Sequence, residues 1–198
     1  MRLFYAYGRG SDPGLKATKE WIWEVLFHRA YANGTRYYHQ PDVYLYFFAR
    51  LLAENPGSDL HRGGAGRRLL AMRLSERVHT AADPMGLAMR VLACQLTGLG
   101  SQVKGDLEQL LVVQEADGSF GVGWLCQYGK TGIKLGHRGL TTALAIKAVE
   151  AMRELPSPDL WKAPVAAAKF SSTEKQDITA PTLIVSGISA EPLPVMAA

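Results

Sequence analysis

The chain has 198 residues, 47% of them apolar and 20% charged, which is ordinary for a globular protein with a sizeable core. No apolar run approaches the roughly 20 residues that cross a bilayer, so no transmembrane segment is expected. A net charge of +4 is too mild for a dedicated nucleic-acid binder.

The N-terminal apolar stretch is short and soon interrupted by Arg9, which is not a signal-peptide pattern. A cytoplasmic protein is the expectation. Residues 16–32 then carry a wide apolar stripe through Ile22, Trp23, Leu26, Phe27, Ala30 and Tyr31, which predicts a helix ended by Gly34. Residues 42–54 are apolar nearly all round, interrupted at Arg50, and predict a helix buried between neighbours. Helices follow over 65–78 and 84–97. Asp83-Pro84 opens the second of these as a side-chain cap followed by proline, and Gly98 and Gly100 close it. A third pair covers 104–115 and 139–153, and Pro156 and Pro158 stop it.

The second helices of the three pairs superimpose without gaps. Segments opening at Tyr44, Pro84 and Thr141 each place one basic residue, Arg50, Arg90 or Lys147, among apolar neighbours. Arg29, Arg77 and Gln114 fall at equivalent points of the first helices. This internal repeat is the mark of stacked antiparallel helical hairpins. Between the last two helices stands Gln114-x-x-Asp117-Gly118-Ser119-Phe120. It resembles the Q-x-x-D-G-x-aromatic turn of the terpenoid cyclase and protein prenyltransferase α/α toroids, including the squalene–hopene-type cyclases. The run Leu140-Thr141-Thr142-Ala143 is similar to the opening of their next helix. AYANGTRYY, PDVYLYFFARLL and GHRGLTTALAIKAVEAM are similar to runs in fungal members of unassigned activity. The resemblance implies an all-α fold for residues 1–155, a partial (α/α) toroid of about three hairpins. It also implies an apolar or isoprenoid ligand class. Three hairpins are about half a closed ring. A fragment of a larger toroid, or a chain completed by a partner or a missing half, is therefore expected. Residues 156–198, rich in Pro, Ala, Ser and Thr, are expected to be an extended or disordered tail.

No catalytic motif accompanies the resemblance. There is no D-x-D-D run, which squalene–hopene-type cyclases use to protonate an alkene, and no D-D-x-x-D metal run. Asp117, Cys126 and His137 supply zinc-binding residue types without the prenyltransferase spacing, and the five histidines show no ligand spacing, so no metal and no cofactor is expected. Gln114, Asp117, Gly118 and Phe120 form a structural turn: Gln114 bonds a helix end, Asp117-Gly118 tightens the chain, and Phe120 packs on the next hairpin.

The candidate ligand site is the pair of loops 34–39 and 121–138, with Arg36, Tyr37, Tyr38, Trp124, Tyr128, His137 and Arg138. Aromatic faces stabilise carbocations and basic groups bind diphosphate. Loops packed by their own aromatics are the plainer reading.

Elsewhere the plainer readings also stand. Arg73 and Arg77 read as a solvated helix face, His28 as a core histidine, and Cys94 and Cys126 as buried thiols. Ile178–Gly187 resembles the late strand of α/β hydrolases, but no G-x-S-x-G elbow occurs. Asp42, Asp83 and Asp117 show no acidic companion, which places an (α/α) glycosidase last. The main alternative to a ligand-binding module is a non-catalytic scaffold for protein–protein interaction.

Overall fold

The computed structural model describes residues 1–153, apart from Arg36, His39 and Lys130. The described residues form α1 (Arg2–Ala6), α2 (Lys16–Phe27), α3 (Pro41–Glu54), α4 (Ala65–Ser75), α5 (Pro84–Thr97), α6 (Lys104–Val112) and α7 (Arg138–Arg153). Between α6 and α7 lie two short strands, β1 (Trp124–Gln127) and β2 (Lys134–Gly136). The fold class is all-α, as the periodicity predicts. Each of the six helices expected from the sequence has its counterpart, α2 to α7, three of them shorter than expected. Among the described residues no helix is long and apolar enough to cross a membrane. The tail 156–198, the hydrolase-like stretch within it and the stop at Pro156 lie outside the described residues.

Helix α5 is the centre. The Asp83 carboxylate accepts the Gly86 N–H at 2.8 Å and Pro84 takes the first turn. At the other end Gly98 adopts φ +79°, and the Leu99 N–H returns to the Cys94 carbonyl at 2.8 Å. That left-handed residue is a glycine because a Cβ is costly there. Every residue from Met85 to Cys94 is buried, since α3, α4, α6 and α7 all pack on α5. Trp23 of α2 meets Phe48 of α3 edge to face at 4.8 Å, and Tyr31 stacks on Tyr44 at 5.5 Å. These aromatic pairs join the first hairpin to the core.

Several expectations are corrected. The helix expected over 16–32 ends at Phe27, because Arg29 turns left-handed at φ +55°; a separate 3-10 turn, Ala30–Asn33, then runs to Gly34. The helices expected to reach Val78 and Glu115 stop at Ser75 and Val112. His28 is not a core residue: it is exposed and stands 3.1 Å from Glu24 one turn earlier. Arg73 and Arg77 are not a solvated face. Arg73 is buried and donates to the Leu26 and Phe27 carbonyls at 3.1 and 2.9 Å, which closes the last turn of α2. Arg77 donates to Asp42 at 3.1 Å. The three superimposed basic residues are not equivalent: Arg90 is fully buried, Arg50 half-buried and Lys147 exposed. Cys94 is buried as expected, whereas Cys126 is only half-buried.

Asp42 does have an acidic companion. Arg90 donates from Nε and Nη2 to the two Asp42 oxygens, at 2.9 and 3.0 Å, and from Nη1 to Asp106 at 2.5 Å. Both carboxylates are buried. Burial works against the Arg90 charge, but the paired carboxylates outweigh it and raise its pKa. Buried charge is tolerated only with such partners. The group is wholly interior and joins α3, α5 and the first turn of α6, which is a structural role.

Candidate functional site

The glycine-rich turn is built as a clip onto α7. Gln114 and Phe120 form an isolated antiparallel bridge, and Gln114 Nε2 donates to the Gly118 carbonyl at 2.8 Å. Asp117 accepts from the Ser119 N–H at 3.0 Å and from the Ser119 hydroxyl at 2.6 Å. Gly118 takes φ +80°, the conformation glycine adopts most cheaply. Phe120 is buried in the core, and its N–H donates to Thr142 Oγ1 at 3.1 Å. The Gly123 N–H donates to Thr141 Oγ1 at 2.9 Å. Turn and helix start are thus one unit.

Arg138 belongs to this clip. Its Nη2 lies 2.6 Å from Glu115 and 2.8 Å from Asp117, and it also donates to the Ser119 hydroxyl. The Ser119 hydrogen bonds, followed by the Arg138 charge, hold the Asp117 carboxyl below its usual range. It is therefore an ionised acceptor at neutral pH, the opposite of a general acid. His137 occupies the position before α7. Its ring Nδ1 accepts the Leu140 N–H at 3.2 Å, and its carbonyl accepts the Thr141 N–H at 3.0 Å.

A second clip gathers the N-terminal ends of α3 and α5. Besides capping α5, Asp83 accepts from Gln40 Nε2, just before α3, and from the Trp124 N–H at 2.9 Å, which opens β1. The hairpin is antiparallel, pairing Trp124 with Gly136, Cys126 with Leu135 and Gln127 with Lys134, with an irregularity between Trp124 and Cys126. Its outer end is tied to the other candidate loop, where the Gln127 N–H donates to the Tyr37 carbonyl at 2.6 Å. The Thr35 N–H donates to the Tyr38 carbonyl at 2.6 Å and tightens that loop.

Between the loop and the hairpin opens a groove of about 630 Å³, lined by Tyr37, Tyr38, Leu125, Cys126, Gln127, Tyr128, Gly129, Thr131 and Leu135. This volume is within the range of small-molecule sites. Tyr37 and Tyr128 are well exposed and Tyr38 packs its ring against Phe47. Of the candidates named from the sequence, the structure brings together Tyr37, Tyr38 and Tyr128. Trp124 is held at the Asp83 clip, His137 caps α7, and Arg138 is held by the turn acids. Arg36 lies outside the described residues.

Sequence reasoning missed Leu125, Cys126, Gln127, Thr131 and Leu135, all from the hairpin or its tip. The available signal was the turn-rich run Gly129-Lys130-Thr131-Gly132 between two short apolar segments. Among the described residues no group of three or more His, Cys, Asp or Glu is placed to hold a metal ion.

Comparison with known proteins yields one informative similarity. Over 153 residues, 75% of this chain, the sequence is 38% identical to the drimenol cyclase drtB of Aspergillus calidoustus. The chain is terpenoid cyclase-like over that stretch, and it spans 27% of that cyclase's length. No family model matches the chain, and no solved structure matches it either.

Proposed function

We propose that this chain is a terpenoid cyclase-type helical module that takes an isoprenoid or other apolar small molecule into the tyrosine-walled groove and does not cyclise it unaided. The observation that carries the reading is the coincidence of two facts. The sequence is similar to a terpenoid cyclase over three quarters of its length, and the loops chosen from the sequence meet at one groove walled by Tyr37, Tyr38 and Tyr128. Tyrosine rings offer apolar area and a negative π face to an alkene or a carbocation. The reading of no catalysis rests on the missing D-x-D-D run and on the ionised, clipped state of Asp117.

The test is equilibrium dialysis of the full chain against radiolabelled farnesyl diphosphate, with gas chromatography of the extracted products. Binding that falls at least tenfold in Tyr128→Ala, with no cyclised product, is the expected result. Release of a cyclic hydrocarbon or alcohol would remove the non-catalytic part of the reading. Binding unchanged in Tyr128→Ala would remove the groove.

A second reading, a docking surface for a protein partner or a missing toroid half, is favoured by one observation. The last hairpin leaves Leu111, Val112 and Val113 of α6 and its following turn, and Leu140 and Ile146 of α7, exposed. Scaffolds of stacked hairpins present such faces to neighbours.

A further inference from the structure

We propose that Asp83 is the positioning residue of the tyrosine groove: one of its oxygens anchors both walls at their roots and so fixes the gap that a ligand enters. The three loops that join paired helices each supply one group to this point: Gln40 ahead of α3, Asp83 ahead of α5 and Trp124 ahead of α7. The two carboxylate oxygens take different donors. Oδ1 accepts the Gly86 N–H at 2.8 Å and caps α5. Oδ2 accepts from Gln40 Nε2 and from the Trp124 N–H, the latter at 2.9 Å. A carboxylate has about four acceptor sites, enough for all of these donors.

The two Oδ2 ties lie at the base of the groove. Tyr37 and Tyr38 form one wall shortly before Gln40, and Leu125, Cys126 and Gln127 form the other directly after Trp124. At the outer end the walls meet again, where the Gln127 N–H donates to the Tyr37 carbonyl at 2.6 Å. Hydrogen bonds therefore frame the groove at both ends. Gly123, one residue before Trp124, is held by Thr141, so the hairpin stays seated on α7 without Asp83. What Asp83 adds is the position of that hairpin relative to the tyrosine loop. Gly86 leaves room for this: a Cβ there would come within 2.5 Å of Gln40 Oε1. Walls held in place beforehand spare a ligand the cost of ordering them. That last step rests on the reading of the groove as an isoprenoid site.

The test uses the full chain, isotopically labelled for NMR, and three variants. Asp83→Ser keeps a side-chain cap for α5 and loses both ties. Gln40→Leu loses one tie, and Gly86→Ala displaces the Gln40 amide, with Asp83 intact in both. Amide hydrogen exchange is read at Gln127, whose partner Tyr37 is altered in none of them; a residue that only capped α5 would leave it unmoved. Gln127 should exchange at least tenfold faster in all three variants, and Trp124 at least tenfold faster in Asp83→Ser alone. Protection retained at Gln127 in any variant that folds overturns the proposal, and Gln40→Leu and Gly86→Ala decide it should Asp83→Ser fail to fold. Dialysis against farnesyl diphosphate should show binding at least tenfold weaker in Gln40→Leu. Full binding in that variant, with exchange raised, would refute the link from anchor to ligand. A parent that binds no farnesyl diphosphate would instead remove the isoprenoid reading, and exchange alone then judges the anchor.

Discussion

Arg90 of α5 meets Asp42 of α3 through two parallel hydrogen bonds, at 2.9 and 3.0 Å, with both side chains buried. A bidentate guanidinium–carboxylate pair fixes relative orientation as well as separation. Because the same guanidinium also binds Asp106 of α6, one charge positions three helices.

Removing Asp42 leaves that charge underpaired in the interior. Asp42→Ala should lower unfolding free energy by about 3–5 kcal/mol, the usual cost of breaking a buried pair. Asp42→Asn keeps the shape and one acceptor and should lose less. Arg2→Ala opens the exposed pair with Glu54 and should cost less than about 1 kcal/mol. Urea unfolding followed by circular dichroism ranks the three.

Glycines between the turn and α7 separate two physical demands. Gly118→Val places a branched side chain at φ +80° and should cost about 1–2 kcal/mol. At Gly123 a Cβ would overlap Met85 Cβ and come within 2.9 Å of Thr141 Oγ1, so Gly123→Ala should cost about 1–3 kcal/mol. At Gly121 the nearest atom to an added Cβ is Glu115 Oε1 at 3.7 Å, an ordinary contact, so Gly121→Ala should leave the melting temperature unchanged.

The two thiols should behave differently. Burial pushes the Cys94 thiol up to about 12, while Cys126 is half-buried in the groove wall. The thiolate is the reactive form. Native protein treated with iodoacetamide at pH 8 should therefore be modified at Cys126 and spared at Cys94, as read by peptide mass spectrometry. A molecule seated in the groove should slow the Cys126 reaction.

Glu76 gives the acid dependence. Hydrogen bonds from Arg29 at 2.7 and 2.9 Å lower its pKa first and foremost, and Arg73 at 2.8 Å adds to this. A carboxyl lowered in the folded state contributes stability above its unfolded pKa, and that contribution is lost as pH falls through the folded value. Glu76→Gln should therefore melt lower than the parent at pH 7, and the gap should close as pH drops below about 4. Melting curves across that range check the sign.

The helices were legible in the sequence because each carries local marks. Asp83-Pro84 and Gly98 bound α5, and Gln114 to Phe120 bounds the turn, all within a few residues of the structure they dictate. The Arg90 centre was not legible. Its partners lie 48 residues before it and 16 after it, and an isolated Arg in an apolar helix gives no sign of where they are. The groove was legible by half. Aromatic content pointed to the two loops, but strands of four and three residues carry too little alternation to reveal the hairpin that walls it. The place of Arg138 beside Glu115 and Asp117 was not legible either, since it depends on how the turn folds back.

The most direct measurement is the thermal melt of the full chain, followed at the helical dichroism band, with and without farnesyl diphosphate, in the parent and in Tyr128→Ala. The account predicts a cooperative melt that rises with ligand in the parent and rises much less in the variant, as binding to the folded state requires. A melt that ligand does not move, in a chain that unfolds cooperatively, would contradict the assignment of an isoprenoid site to this groove.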